Sequence, residues 1–128
     1  MLQAKAKVLL VDDETEFASA LAERLRLRSY NAKAVFHPED AIAAVQSDPP
    51  DVVLLDFRMP GMDGIEVLKI IKKIDPAIEV IMLTGHGDVS SLEEAMRNGA
   101  HEYIMKPLDI GELITKINNA RKKRSSAG

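Results

Sequence analysis

Asp51-Val52-Val53-Leu54-Leu55-Asp56-Phe57-Arg58 sets four consecutive apolar residues between two aspartates, and the fold is read from that run outward. A strand with one wet face alternates apolar and polar side chains, whereas a strand covered on both faces stays apolar at every position. Val8-Leu9-Leu10-Val11 and Val80-Ile81-Met82-Leu83 have the same unbroken character. Three such runs predict the middle of a parallel sheet buried between helices. Ala32 to Phe36 and Tyr103 to Met105 add two shorter strands.

Between these runs, apolar residues recur at helical spacing: Phe17, Leu21 and Leu25; Ala41, Ile42 and Val45; Val67, Leu68, Ile71 and Ile74; Leu92, Ala95 and Met96; Leu113, Ile114 and Ile117. Pro38 suits a first helical turn, Asp88 and Asp109 stand where N-caps belong, and Gly99 follows a helix end. Pro49-Pro50 and Pro76 separate helices from the strands after them. Five strands alternating with five helices predict an α/β sandwich with right-handed crossovers. The expected architecture is a doubly wound, flavodoxin-like five-stranded parallel sheet in the order 2-1-3-4-5, with helices on both faces.

A chain of 128 residues, 46% of them hydrophobic, is expected to form one domain with an adequate core. The absence of cysteine rules out a disulfide scaffold, a thiolate metal site and a cysteine nucleophile. No apolar run approaches the roughly 20 residues of a membrane span, and Met1 to Val11 lacks a signal peptide's long apolar stretch, so a cytoplasmic protein away from membranes is expected. The 17 basic and 20 acidic residues leave a net charge of -3, which provides no field for grasping nucleic acid. Four of the cations are adjacent, Arg121 to Arg124. They read as a helix end facing its dipole, so residues 1–120 are expected to form the domain and 121–128 a basic, serine-containing tail or a linker cut short.

Ligands in such folds bind outside the carboxyl ends of the strands. Asp12 and Asp13 follow the first strand, Asp56 the third, Thr84 the fourth and Lys106 the fifth. Each alone reads as a cap or turn former. Three carboxylates brought together, however, either split their pKa values or hold a hard cation, and magnesium suits an all-oxygen set that leaves room for a phosphate oxygen. An aspartate can then act as nucleophile toward phosphorus, with Lys106 neutralising charge and Thr84 donating a hydrogen bond, while Gly85 leaves space for a donor.

The segments Val8 to Glu14, Asp51 to Gly64, Leu83-Thr84-Gly85-His86 and Gly99 to Pro107 resemble, in order and over nearly the whole chain, the receiver domains of two-component response regulators. The resemblance implies that Asp56 takes a phosphoryl group from a phosphohistidine on a sensor histidine kinase or phosphotransfer protein. It implies magnesium, for which manganese can substitute, on Asp13, Asp56 and the backbone carbonyl of Arg58, with Asp12 acting mainly through water. Lys106 is expected to contact the phosphoryl oxygens, and the Lys106-Pro107 bond to be cis.

By the same resemblance Thr84 moves inward on phosphorylation, and Tyr103 follows from exposed to buried. This remodels the face of the fourth helix, fifth strand and fifth helix, through which an effector, a downstream protein or a second copy would be engaged. For Tyr103 an ordinary packed strand aromatic is an equal reading. The resemblance also places Arg58 and His86 beside the path of a hydrolytic water, so they are expected to tune the lifetime of the aspartyl phosphate. Gly61 and Gly64 read as turn glycines, His37 and His101 as structural or solvent-facing, and the methionines as core fillers, with Met62 and Met96 also candidates for a partner surface.

Three other readings compete. An aspartate-nucleophile phosphatase of the haloacid dehalogenase type needs an acid two residues past the nucleophile, where Arg58 stands. A nucleotide-binding domain needs a glycine-rich loop where Asp12-Asp13-Glu14 stands. A receiver-like docking module without chemistry has no need of the acceptor, acid pair, Thr84 and Lys106 together. Leu83 to Val89 resembles the corresponding stretch of receivers attached to transcription regulators.

Overall fold

The computed structural model describes residues 5–59, 61–85 and 89–127. The chain order is β1 (Lys7–Val11), α1 (Thr15–Leu27), β2 (Asn31–Val35), α2 (Pro38–Ser47), β3 (Val52–Asp56), α3 (Gly64–Ile74), β4 (Glu79–Thr84), α4 (Val89–Arg97), β5 (Glu102–Met105) and α5 (Ile110–Ala127). All strand pairings are parallel, in the order β2-β1-β3-β4-β5. The alternation read from the sequence therefore yields the expected doubly wound sheet.

Why the central runs are wholly apolar is visible in the two cores. Successive strand side chains point to opposite faces. Leu9 and Val11, Val53 and Leu55, and Val80 and Met82 pack against the face covered by α2, α3 and α4. Their neighbours Val8 and Leu10, Val52 and Leu54, and Ile81 and Leu83 pack on the other face with α1 and α5. Every residue of β3 and β4 is buried. At roughly 1.5–3 kcal/mol for each fully buried large aliphatic side chain, these strands anchor everything attached to their ends.

The helix boundaries follow local chemistry. Asp63 caps α3 by accepting the Glu66 N–H at 2.9 Å, and Asp109 caps α5 by accepting the Glu112 N–H at 3.2 Å. Gly99 ends α4 in the left-handed region at φ 101°. The end of α1 uses the same device without glycine: Ser29 has φ 72°, and the Tyr30 N–H reaches back to Leu25 O at 3.1 Å. The Asp88 cap expected for α4 lies outside the described residues.

Several boundaries differ from the sequence reading: β1, β4 and β5 begin one residue earlier than read, and β3 and β4 end one residue later. β2 begins at Asn31 and ends at Val35, so Phe36 falls outside the strand. As an edge strand it gives Val35 to one core and Ala32 to the other but leaves Asn31 and Lys33 exposed, so its ends are weakly marked by hydrophobicity. Arg121 to Arg124 belong to the end of α5 as read, and the helix backbone runs on to Ala127, into the serine-containing stretch read as a linker.

Candidate functional site: an acidic pocket at the strand ends

Register brings the acidic residues together. Val11 pairs with Leu55, so Asp12 leaves β1 beside Asp56 at the end of β3, one strand spacing of about 4.8 Å away. Asp12, Asp13 and Asp56 each present a carboxylate oxygen, and the three oxygens lie within 4.8 Å of one another. Asp12 and Asp56 are buried. The Asp12 carboxylate is held in a turn by the Glu14 N–H at 3.0 Å, and the Arg58 backbone N–H donates to the Asp56 carboxylate.

Lys106 enters from the end of β5. Its Nζ lies 2.8 Å from Asp12 Oδ2, 2.7 Å from Glu14 Oε1 and 3.6 Å from Asp56 Oδ1, and it sits 4.6 Å from the centre of the Phe17 ring. The next peptide, Lys106-Pro107, is cis. Burial alone lowers the lysine's affinity for its proton, but the hydrogen bonds it donates to Asp12 and Glu14, with the charges of Asp56 and Asp12, outweigh it and hold the pKa above the ordinary value. Burial pushes the Asp56 carboxyl up to about 6, with the charge of Asp12 adding to the rise, Lys106 opposing it and Asp13 adding again. An acid that resists ionisation beside other acids is one whose environment calls for a further cation.

Donor chemistry supports the same ion. Three carboxylate oxygens form a hard, all-oxygen set of the kind magnesium takes. Asp13 and Asp56 border an open cavity of about 410 Å³ that Glu14, Phe57, Arg58, Gly85 and Lys106 also line, and Asp12 is fully buried beside them. That volume accommodates the waters magnesium retains together with a phosphoryl group, and a side chain at Gly85 would meet nothing within 4 Å. Asp12, Asp13 and Asp56 thus fit the metal.

The other residues singled out from the sequence are distributed more widely. Thr84 is buried at the end of β4, its hydroxyl donating to Gly85 O at 3.0 Å, and its carbonyl receives the Lys106 N–H at 2.8 Å. Arg58 is exposed at the mouth of the cavity. Tyr103 is 39% exposed on the edge strand β5, with Met105 two residues on and also exposed, and Met96 of α4 is exposed as well. Met62, read as a core filler and a candidate for a partner surface, is partly buried and packs against the core. His101 lies 3.8 Å from the buried Glu79. His86 lies outside the described residues.

Two residues gain importance only from the structure. Gly64 is required by a close approach rather than by its turn: a Cβ there would stand 2.6 Å from Asp56 O and 2.8 Å from Phe57 Cα. Gly61, at φ 92° with open space around it, is a turn glycine as read. Glu14, part of the Asp-Asp-Glu run but given no role from it, is the shortest contact of Lys106. A sequence separation of 92 hides that pairing from any local pattern.

The sequence matches the response regulator receiver domain family over residues 8–118. It is 38% identical over 116 residues to the DNA-binding transcriptional regulator NtrC of Proteus hauseri, covering 91% of this chain and 24% of that protein. It is likewise 38% identical over 120 residues to the transcriptional regulatory protein ZraR of Salmonella typhimurium, covering 94% and 27%. A solved response regulator receiver domain protein from Clostridium thermocellum superimposes with a TM-score of 0.92 at 32% identity, covering 97% of this chain and 100% of that one. The chain spans about a quarter of the length of the curated relatives it matches.

Proposed function

The chain belongs to the response regulator receiver domains of two-component signalling, and from that membership we propose that Asp56 is its phosphoacceptor, charged in a magnesium-dependent reaction by the phosphohistidine of a sensor histidine kinase or phosphotransfer protein. The observation that carries this reading is the convergence of Asp12, Asp13, Asp56 and Lys106, of which Asp13, Asp56 and Lys106 line one open cavity.

In the proposed reaction an Asp56 carboxylate oxygen attacks phosphorus. The new O–P bond forms as the P–N bond breaks, and the leaving imidazole keeps the electron pair and takes a proton. Asp12, Asp13 and Asp56 would hold the magnesium, which when bound offsets the charge of the phosphoryl oxygens. The Arg58 N–H on the Asp56 carboxylate leaves one oxygen of that group oriented for attack. Lys106 supplies a cation to a phosphoryl oxygen, and Thr84, by turning its hydroxyl from Gly85 O, supplies a donor to another. Arg58 and His86 set the rate at which water removes the group. The domain is a switch that catalyses only its own phosphorylation and slow dephosphorylation.

The output surface in this reading is the face of α4, β5 and α5, where Met96, Tyr103 and Met105 are exposed. Rotation of Thr84 toward the phosphoryl group vacates space into which Tyr103 moves, and the face changes shape for an effector domain, a downstream protein or a second copy. Residues 1–120 form the receiver unit and 121–128 lead away from it. The domain acts in the cytoplasm; among the described residues no helix is long and apolar enough to cross a membrane. Treatment with acetyl phosphate and magnesium, followed by mass spectrometry of peptides, tests the central step: one phosphate on the Asp56 peptide is expected, and an unlabelled Asp56 overturns it.

A further inference from the structure

The Lys106 ammonium has three N–H donors, and two are spent on Asp12 and Glu14, leaving Asp56 outside hydrogen-bond range at 3.6 Å. The two partners differ in what it costs to give them up. Asp12 is fully buried, whereas the Glu14 side chain is 62% exposed and can be rehydrated where it stands. Glu14 also occupies the N-cap position of α1 without capping it: its side chain makes no bond to the first turn. Helix formation therefore does not explain where its carboxylate lies. Its own N–H fixes the Asp12 carboxylate, so the two acids that hold the lysine are tied to each other.

Building on the phosphoacceptor reading, we propose that Glu14 is a positioning residue that restrains Lys106 before phosphorylation and is exchanged for a phosphoryl oxygen when Asp56 is charged. The exchange breaks an ion pair at the cavity rim and makes one inside it, with Asp12 kept as the constant partner. Glu14 thus slows charging of Asp56, because the lysine must leave it before it can neutralise the incoming group. It also carries a negative charge on the wall of the cavity that receives the donor.

Charge and restraint are separable. Glu16, in the first turn of α1, carries the same charge two residues away. The experiment measures the rate of Asp56 labelling by phosphoramidate in magnesium for the wild type, Glu14→Gln and Glu16→Gln, with urea unfolding of each. Glu14→Gln is expected to label about two- to fivefold faster, the range set by loss of one half-exposed ion pair, and Glu16→Gln at the wild-type rate. Equal acceleration of both variants would show a simple field effect and overturn the restraint, as would an unchanged or slower Glu14→Gln. Absence of label on the wild type would instead overturn the phosphoacceptor reading, and this proposal with it.

Discussion

The first residue of α3, Gly64, is pressed so closely against the end of β3 that a methyl group on it would lie 2.6 Å from the backbone oxygen of Asp56. The Gly64 N–H donates to Phe57 O at 2.8 Å, which ties the helix start to the strand exit. The helix and the residue that carries the Asp56 carboxyl therefore share one rigid joint. Gly64→Ala is expected to cost roughly 1–3 kcal/mol, as overpacking does, because the obstructing atoms are backbone and cannot swing aside. It should also slow labelling of Asp56. Chemical unfolding checks the first effect, and a midpoint equal to that of the wild type would contradict the close approach.

The raised pKa of Asp56 makes stability depend on pH in a definite direction. The folded protein binds this proton up to about pH 6, while the unfolded chain releases it near 3.8. Between those values the folded state holds more protons, so the Asp56 contribution to stability falls as pH rises. Below the lower value the penalty is absent; above the upper one it is complete, at up to about 3 kcal/mol. Asp56→Asn should then be more stable than the wild type at neutral pH in a chelator, and the advantage should vanish near pH 4. Paired unfolding curves across that window give the answer, and a difference independent of pH would show that the carboxyl is not strained.

How legible this was from sequence depended on whether the signal is local. β1, β3 and β4 are buried on both faces, so their composition alone marks them, and the chemistry at their ends follows from topology. β2 is an edge strand with exposed positions, and it alone excludes a residue that its composition suggested, Phe36. Asp109 was recognisable as a cap because capping is a relation within one turn. Gly64 was read as a turn residue because the atoms that exclude a side chain belong to another element. Glu14 went unassigned for the same reason: its partner sits at the far end of the chain, and only the folded sheet joins them.

Ser29 carries a side chain where the end of α1 demands a left-handed backbone, at φ 72°. The Ser29 N–H reaches Arg26 O at 2.9 Å and the Tyr30 N–H reaches Leu25 O, the arrangement in which glycine normally occupies the turning position. Ser29→Gly removes the clash of Cβ with its own backbone and should add about 0.5–1 kcal/mol. Because the site lies at the opposite end of the strands from Asp56, the labelling rate should not change. Thermal unfolding would show a higher midpoint; a lower one would mean that the extra freedom of the unfolded glycine outweighs the relief.

Lys106 is the cation that permits three acids to share one pocket, and its removal should expose the need for another. Lys106→Met keeps a long unbranched side chain but loses the ammonium that sits over Phe17, leaving the buried Asp12 carboxylate without its ion-pair partner. Orphaning a buried charge is strongly destabilising, and a loss of about 2–4 kcal/mol is expected in a chelator because the lysine is partly exposed. Saturating magnesium should recover much of that loss, since a more negative cluster binds the ion more tightly and binding to the folded state alone stabilises it. Magnesium should therefore stabilise Lys106→Met more than the wild type, and the wild type more than Asp56→Asn. The three unfolding curves with and without the ion measure this without any phosphoryl transfer; if magnesium shifts all three equally, the ion binds somewhere other than among Asp12, Asp13 and Asp56.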